Sequence, residues 1–172
     1  MTLALGVEMM LLARLASSAG EARVMLEAAL ADGRALAKFR EIVEAQGGDP
    51  RVVDEPGKYL PQAPMSETVL SHRAGFVQRV EPRIVGRGII ALGGGRTTME
   101  DTVDPAVGFR IVVNVGDKVM RGQPLATVLA RDAAGVEAGK ACIREAVVIG
   151  DDDLGAPSLV SHRITLAGVE TL

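Results

Sequence analysis

A chain of 172 residues with 19 Lys and Arg against 22 Asp and Glu carries a formal charge of −3, too balanced for a general polyanion binder, which needs a run of cations to neutralise phosphates. Nearly half of the residues (48%) are apolar, which excludes wholesale disorder and allows an ordinary core in one domain, or one domain plus an appendage. The single cysteine, Cys142, excludes an intramolecular disulfide and a cysteine-based zinc site, and His72 and His162 are the only histidines; a reducing, cytoplasmic setting is the default for such a chain.

The first third predicts helices. Residues 3–16 are apolar nearly all round a helix, through Leu3, Leu5, Val7, Met9, Met10, Leu11, Leu12 and Leu15. Such a helix is expected to be buried on every face. Three covers stay open: the rest of the chain, an oligomer, or a segment N-terminal to it. The stretch has no basic leader and Glu8 interrupts it, so it does not read as a secretory signal. No segment reaches the about 18 apolar residues that span a membrane. Ser18 and Glu21 have capping-box spacing, the hydroxyl serving the Glu21 amide and the carboxylate reaching back to the Ser18 amide. The second helix then runs to about Asp32, with Gly33 as its stop. A third, Arg34–Ala45, buries Leu36, Phe39, Ile42 and Val43 and ends at Gly47-Gly48. Asp49-Pro50 pairs an N-cap with an N1 proline and predicts one short turn.

Residues 54–65 hold three prolines and a glycine in twelve residues and read as an extended connector, because residues before proline avoid the α region. Beyond it the chain predicts short strands at 68–71, 75–80, 88–92, 109–114 and 124–129, rich in Val and Ile and bounded by Gly, Pro or Asp. A helix over 135–145, a strand over 146–149, a solvated turn at 151–153 and a closing strand over 159–166 complete it. The fold class is α+β.

No string in this order carries a complete catalytic constellation. Gly93-Gly94-Gly95-Arg96 is the candidate anion turn, since successive glycines let amides approach an anion and Arg96 adds charge. It lacks the Lys-Ser/Thr of a phosphate loop and the spacing of a dinucleotide fold, so a turn with positive φ serves the same residues. Glu100, Asp101, Asp104 and Asp117 do not have calcium-loop spacing and read as turn and cap residues. Ser71-His72 and Ser161-His162 are sequence neighbours, which on a strand point to opposite faces rather than forming a pair. Val115–Leu125 (VGDKVMRGQPL) resembles the hairpin of barrel-sandwich hybrid domains, including biotinyl and lipoyl carriers. The following strand, Ala126–Arg131, holds no lysine to modify, so the carrier function is not supported. No catalytic, substrate-binding or metal-ligating residue is assigned.

Taken in order, other strings resemble one family. Leu5-Gly6, Met9-Met10, Gly33-Arg34-Ala35-Leu36, Phe39 and Ala45-Gln46-Gly47-Gly48 lie in the helical part. Lys58-Tyr59-Leu60-Pro61-Gln62-Ala63 forms the connector. Gly75-Phe76-Val77, Ala91-Leu92-Gly93-Gly94-Gly95-Arg96, Asp104-Pro105-Ala106-Val107-Gly108, Gly116-Asp117 and Pro124-Leu125-Ala126 follow. Together they resemble the C-terminal portion of the pyrimidine-nucleoside phosphorylases, in the thymidine phosphorylase branch favoured by the connector and Ser161-His162-Arg163-Ile164.

The resemblance implies three parts. Residues 1–53 are a helical segment of the family's central α/β domain, 54–65 a connector, and 66–172 the C-terminal domain, an αβ-hammerhead with barrel-sandwich-hybrid character. It implies a cytoplasmic pentosyltransferase that converts thymidine and phosphate to thymine and 2-deoxyribose 1-phosphate. Phosphate is a co-substrate, no cofactor sits in this chain, and the full enzyme is a homodimer that binds neither nucleic acid nor membrane. The family's phosphate loop and base-gripping residues belong to an N-terminal part that these strings do not include. The implied partner is that missing part, and the chain alone is expected to be inactive. The alternative is a non-catalytic binding or scaffold module of the same fold, with the apolar first helix as its partner surface.

Overall fold

The computed structural model describes residues 1–171. In chain order the elements are α1 (Thr2–Leu12), α2 (Ala19–Ala31), α3 (Arg34–Ala45), a 3-10 turn (Pro50–Val53), α4 (Pro56–Tyr59), β1 (Met65–Leu70), β2 (Gly75–Val80), α5 (Pro82–Ala91), β3 (Gly108–Ile111), β4 (Lys118–Val119), β5 (Pro124–Ala130), α6 (Ala133–Ala146), β6 (Val147–Gly150), β7 (His162–Thr165) and β8 (Gly168–Thr171). This is an α+β chain. It divides into two compact units, Met1–Tyr59 with the chain from Ser158 onward, and Leu60–Pro157. Residues 158–171 therefore group with the helices and not with the rest of the 66–172 segment that the resemblance implies.

In the first unit, α1 packs along α2. Gly6 permits the close approach, since a Cβ there would lie 3.0 Å from Leu26 Cδ1. Ser18 caps α2, its Oγ accepting from the Glu21 amide at 3.2 Å. The Glu21 carboxylate reaches one residue further back than the capping box predicts. It accepts from Ser17 N at 2.8 Å and Ser17 Oγ at 2.6 Å, and these bonds hold its pKa below the usual value. The predicted turn at Asp49-Pro50 forms, with Asp49 accepting from the Arg51 amide at 3.0 Å. The connector is less extended than expected, because Pro56–Tyr59 closes one helical turn.

The expectation that α1 is buried on every face does not hold within the described residues. Val7 and Ala22 are the buried apolar residues of this unit. Leu5, Met9 and Leu12, spaced i, i+4 and i+7, form one outward stripe with exposures of 55%, 70% and 84%. Leu36, Phe39 and Ile42 of α3 are exposed as well. The unit also holds the hairpin β7–β8, where the sequence predicts a single strand over 159–166. The Leu166-Ala167 turn carries none of the Asn-Gly or Asp-Gly signals of a two-residue hairpin loop.

The second unit has a conventional core. Two antiparallel three-stranded sheets, in orders β1-β5-β3 and β4-β2-β6, enclose Val69, Val77, Val119, Ala126, Val128 and Val147. The central strand β5 presents Ala126, Val128 and Ala130 inward, and α6 lies against it and β1. Asp132 caps α6, accepting from the Gly135 amide at 2.7 Å. Val136, Gly139, Ile143 and Ala146 are its buried residues, at spacings that keep them on one face. A Cβ on Gly139 would meet Phe109 Cε1 at 3.2 Å and run into Val128 Cγ1, so the absence of a side chain sets how closely α6 approaches the sheet.

Residues 88–92, read as a strand, are the end of α5. Glu81 caps this helix, accepting from the Arg83 amide at 3.2 Å, with Pro82 at the first helical position. Gly88 and Leu92 are buried, and Ile84, one turn before Gly88, is half-buried. The Val115–Leu125 string is not a hairpin between paired strands. Strand β4 pairs with β2 and β5 pairs with β1 and β3, so the Met120–Gln123 turn carries the chain from one sheet to the other.

Candidate functional site

The Gly93–Arg96 run caps a helix C-terminus. Gly93, at φ +89, donates from its amide to Ile90 O at 2.9 Å, and the Gly94 amide donates to Ile89 O at 2.9 Å. These are the two bonds of a Schellman motif, which requires a left-handed residue just past the helix. Gly94 packs on Ile89 and Val107, where a Cβ would meet methyl carbons at 3.0 and 3.2 Å. The Gly93 and Gly94 amides are thus committed to carbonyls. They also stand at the negative end of the α5 dipole, the end that disfavours an anion. Arg96 is exposed in the loop beyond.

The acidic residues act as the turns require. Asp101 accepts from the Thr97 and Thr98 amides at 2.8 and 2.9 Å and from Thr98 Oγ1 at 2.9 Å. Asp117 accepts from the Asn114 amide at 2.7 Å. No group of three or more His, Cys, Asp or Glu able to hold a metal occurs among the described residues. Asp104 has a second partner that its sequence neighbours do not announce. It is held by Arg131, from the end of β5, with Nη2 donating at 2.8 Å and Nε also in contact, while the Ala106 amide donates at 3.0 Å.

The Arg131 guanidinium, and after it the Ala106 amide, hold the Asp104 carboxyl below its ordinary pKa. A carboxylate with a depressed folded pKa stabilises the fold above its unfolded value and loses that contribution as pH falls through the folded one. The Asp104→Asn variant is therefore expected to be less stable than the parent above about pH 5, with the gap closing below about pH 4. Denaturant midpoints measured across pH 2–7 check this. A gap that persists unchanged into acid would show that the carboxylate's charge is not what matters.

The two Ser-His strings differ. Ser71 is buried, with its hydroxyl donating to Arg73 O at 2.5 Å, and it makes no hydrogen bond to His72. Ser161 precedes β7, and there the predicted separation fails: Ser161 Oγ and His162 Nδ1 are 2.9 Å apart. Both are exposed, and no carboxylate orients the imidazole among the described residues. In the same unit Glu8 of α1 pairs with Arg163 of β7, Nη2 to Oε2 at 3.0 Å. Cys142 is half-buried on α6 with its thiol donating to Ile84 O at 3.4 Å. Burial, and then Glu145, push its pKa up, the reverse of an activated thiolate.

Residues 76–150, from the second residue of β2 to the end of β6, match the pyrimidine nucleoside phosphorylase C-terminal domain. Over that segment the chain is similar to the pyrimidine nucleoside phosphorylase family. It is also 37% identical over 158 residues to the thymidine phosphorylase of Burkholderia orbicola, and 38% identical over 158 residues to that of Burkholderia cenocepacia. Each match covers 92% of this chain and 36% of the relative, so the chain spans about a third of the length of these curated relatives. The phosphorylase C-terminal domain falls wholly within the second unit. No helix among the described residues is long and apolar enough to cross a membrane.

Proposed function

We propose that this chain is the C-terminal portion of a thymidine phosphorylase and works as a folded scaffold, completed by the N-terminal part that binds thymidine and phosphate. The carrying observation is a match that covers 92% of this chain but 36% of its relatives. The uncovered apolar stripe of α1 supports it, because a surface of that kind marks an interface. The paired three-stranded sheets with the helices α5 and α6 support the αβ-hammerhead reading for the part of 66–172 that lies in the second unit. In the proposed reaction a phosphate oxygen attacks the anomeric carbon while the bond from that carbon to the base nitrogen breaks. Thymine leaves with the electron pair and takes up a proton, and 2-deoxyribose 1-phosphate remains. Holding phosphate and stabilising the departing base require cations and donors aimed at both, and this reading assigns them to the N-terminal part. The assembled enzyme is a cytoplasmic homodimer with no cofactor.

The test is thymine release from thymidine and phosphate. The pure chain is expected to release none above a boiled control. Mixed with the separately produced N-terminal part of a Burkholderia thymidine phosphorylase, it is expected to turn over. Silence in both samples would favour a non-catalytic scaffold, and turnover by the chain alone would overturn the assignment of the catalytic groups.

A further inference from the structure

The geometry points to a second kind of site: the outer face of the β1-β5-β3 sheet binds a small organic oxyanion, a carboxylate or phosphate monoester on an apolar body, through Arg110, Thr127 and Ser66. The strand register places them. Arg110 lies opposite Thr127 and Ser66 opposite Leu129, and Thr127 and Leu129 are two apart on β5, so all four project from the same face. Their neighbours Ala126, Val128 and Ala130 point the other way and are buried in the core.

Chain segments around Leu60–Ala63 and Pro105 rise at the edges and make this face concave. The resulting pocket holds about 440 Å³, within the range of small-molecule sites. Gln62 stiffens one wall, its side-chain amide donating to Leu60 O at 3.1 Å. No Asp or Glu lines the pocket. The nearest acidic residue in sequence to the Pro105 wall, Asp104, is already neutralised by Arg131. The Arg110 guanidinium, by contrast, enters no ion pair and no hydrogen bond among the described residues, its backbone alone being engaged in the β3–β5 ladder. A guanidinium is a planar fork of donors that matches a carboxylate or phosphate two bonds at a time. The Thr127 and Ser66 hydroxyls add further donors, and Leu129, Pro105 and Leu60 offer an apolar bed. The proposal concerns the second unit alone and does not rest on the phosphorylase reading.

Titrating the full chain with phenyl phosphate, and separately with benzoate, tests it by amide chemical shifts. The expected result is saturable shifts centred on Arg110, Thr127 and Leu129, the tighter of the two ligands assigning the head group. Arg110→Gln should weaken binding roughly ten- to a hundred-fold, the usual loss when a charge-assisted pair is removed. Arg110 is exposed, so the variant keeps the parent's circular dichroism spectrum and melting curve. Thr127→Val, which removes a donor without changing charge, should weaken binding less. Absence of saturation with both ligands, or equal affinity in the Arg110→Gln chain, would overturn the proposal.

Discussion

The triple variant Leu5→Asp, Met9→Asp, Leu12→Asp is expected to stay folded yet fail to associate with the N-terminal part of a thymidine phosphorylase. These side chains are 55%, 70% and 84% exposed in the chain as it stands, so their loss removes little internal packing. If an interface covers them, each is worth about 1.5–3 kcal/mol of apolar burial, and an aspartate left unpaired there adds a desolvation cost. Even about 4 kcal/mol in total weakens binding about a thousand-fold. Calorimetric titration of parent and variant measures it, with thymine release as the second readout. The parent chain alone should self-associate through the same stripe and the variant should be monodisperse by light scattering. Unchanged association in the variant would place the interface elsewhere, and the α3 face of Leu36, Phe39 and Ile42 would be the next to test.

The elements legible in the sequence are those whose cause is local. Helix α3, the Asp49-Pro50 turn, β2, β5 and α6 lie within a residue or two of the expected bounds, because caps, prolines and hydrophobic period all lie inside the element. Residues 88–92 depart from the expected strand for a definable reason. Their Gly-Ile-Ile-Ala-Leu run has strand composition, but the start signal sits seven residues upstream at Glu81-Pro82, and the i, i+4 spacing of the buried Gly88 and Leu92 is helical. The α5 start uses the same device as the Asp49-Pro50 turn, an acidic cap followed by proline. The partners of Asp104 and Arg163 were not legible. Asp104 meets Arg131 across 27 residues and Glu8 meets Arg163 across 155, and such pairings depend on topology rather than spacing. The pocket on the outer sheet face is not legible in the sequence for the same cause: Ser66, Arg110 and Thr127 come from three strands, and only the register brings them together. The oddity of α1 was legible in composition, and the structure sharpens it from a helix apolar all round to one buried residue, Val7, opposite an exposed stripe.

Truncating Ile143 is expected to be the most damaging single change within the second unit. Its side chain has no exposed surface and is the largest of the fully buried ones. It belongs to the buried cluster of the second unit and sits on α6, the helix that packs against β5, β1 and β6. The α6 approach is already fixed at Gly139 by contact with Val128 and Phe109, so the helix has little freedom to settle into a cavity. Ile143→Ala should therefore fall toward the upper part of the about 2–5 kcal/mol seen for such deletions. That is a large share of the 5–15 kcal/mol that stabilises a typical domain. A unit of this size should melt about 10 °C or more below the parent. Ile143→Val, which removes one methylene, should cost about 0.5–1.5 kcal/mol. Ile164→Ala, at a side chain 78% exposed in β7, should stay within about 0.5 kcal/mol of the parent. Urea unfolding of the three variants decides the order. If Ile143→Ala proved no worse than Ile164→Ala, the core would not be organised around α6, and the close approach at Gly139 would not be what holds the helix to the sheet.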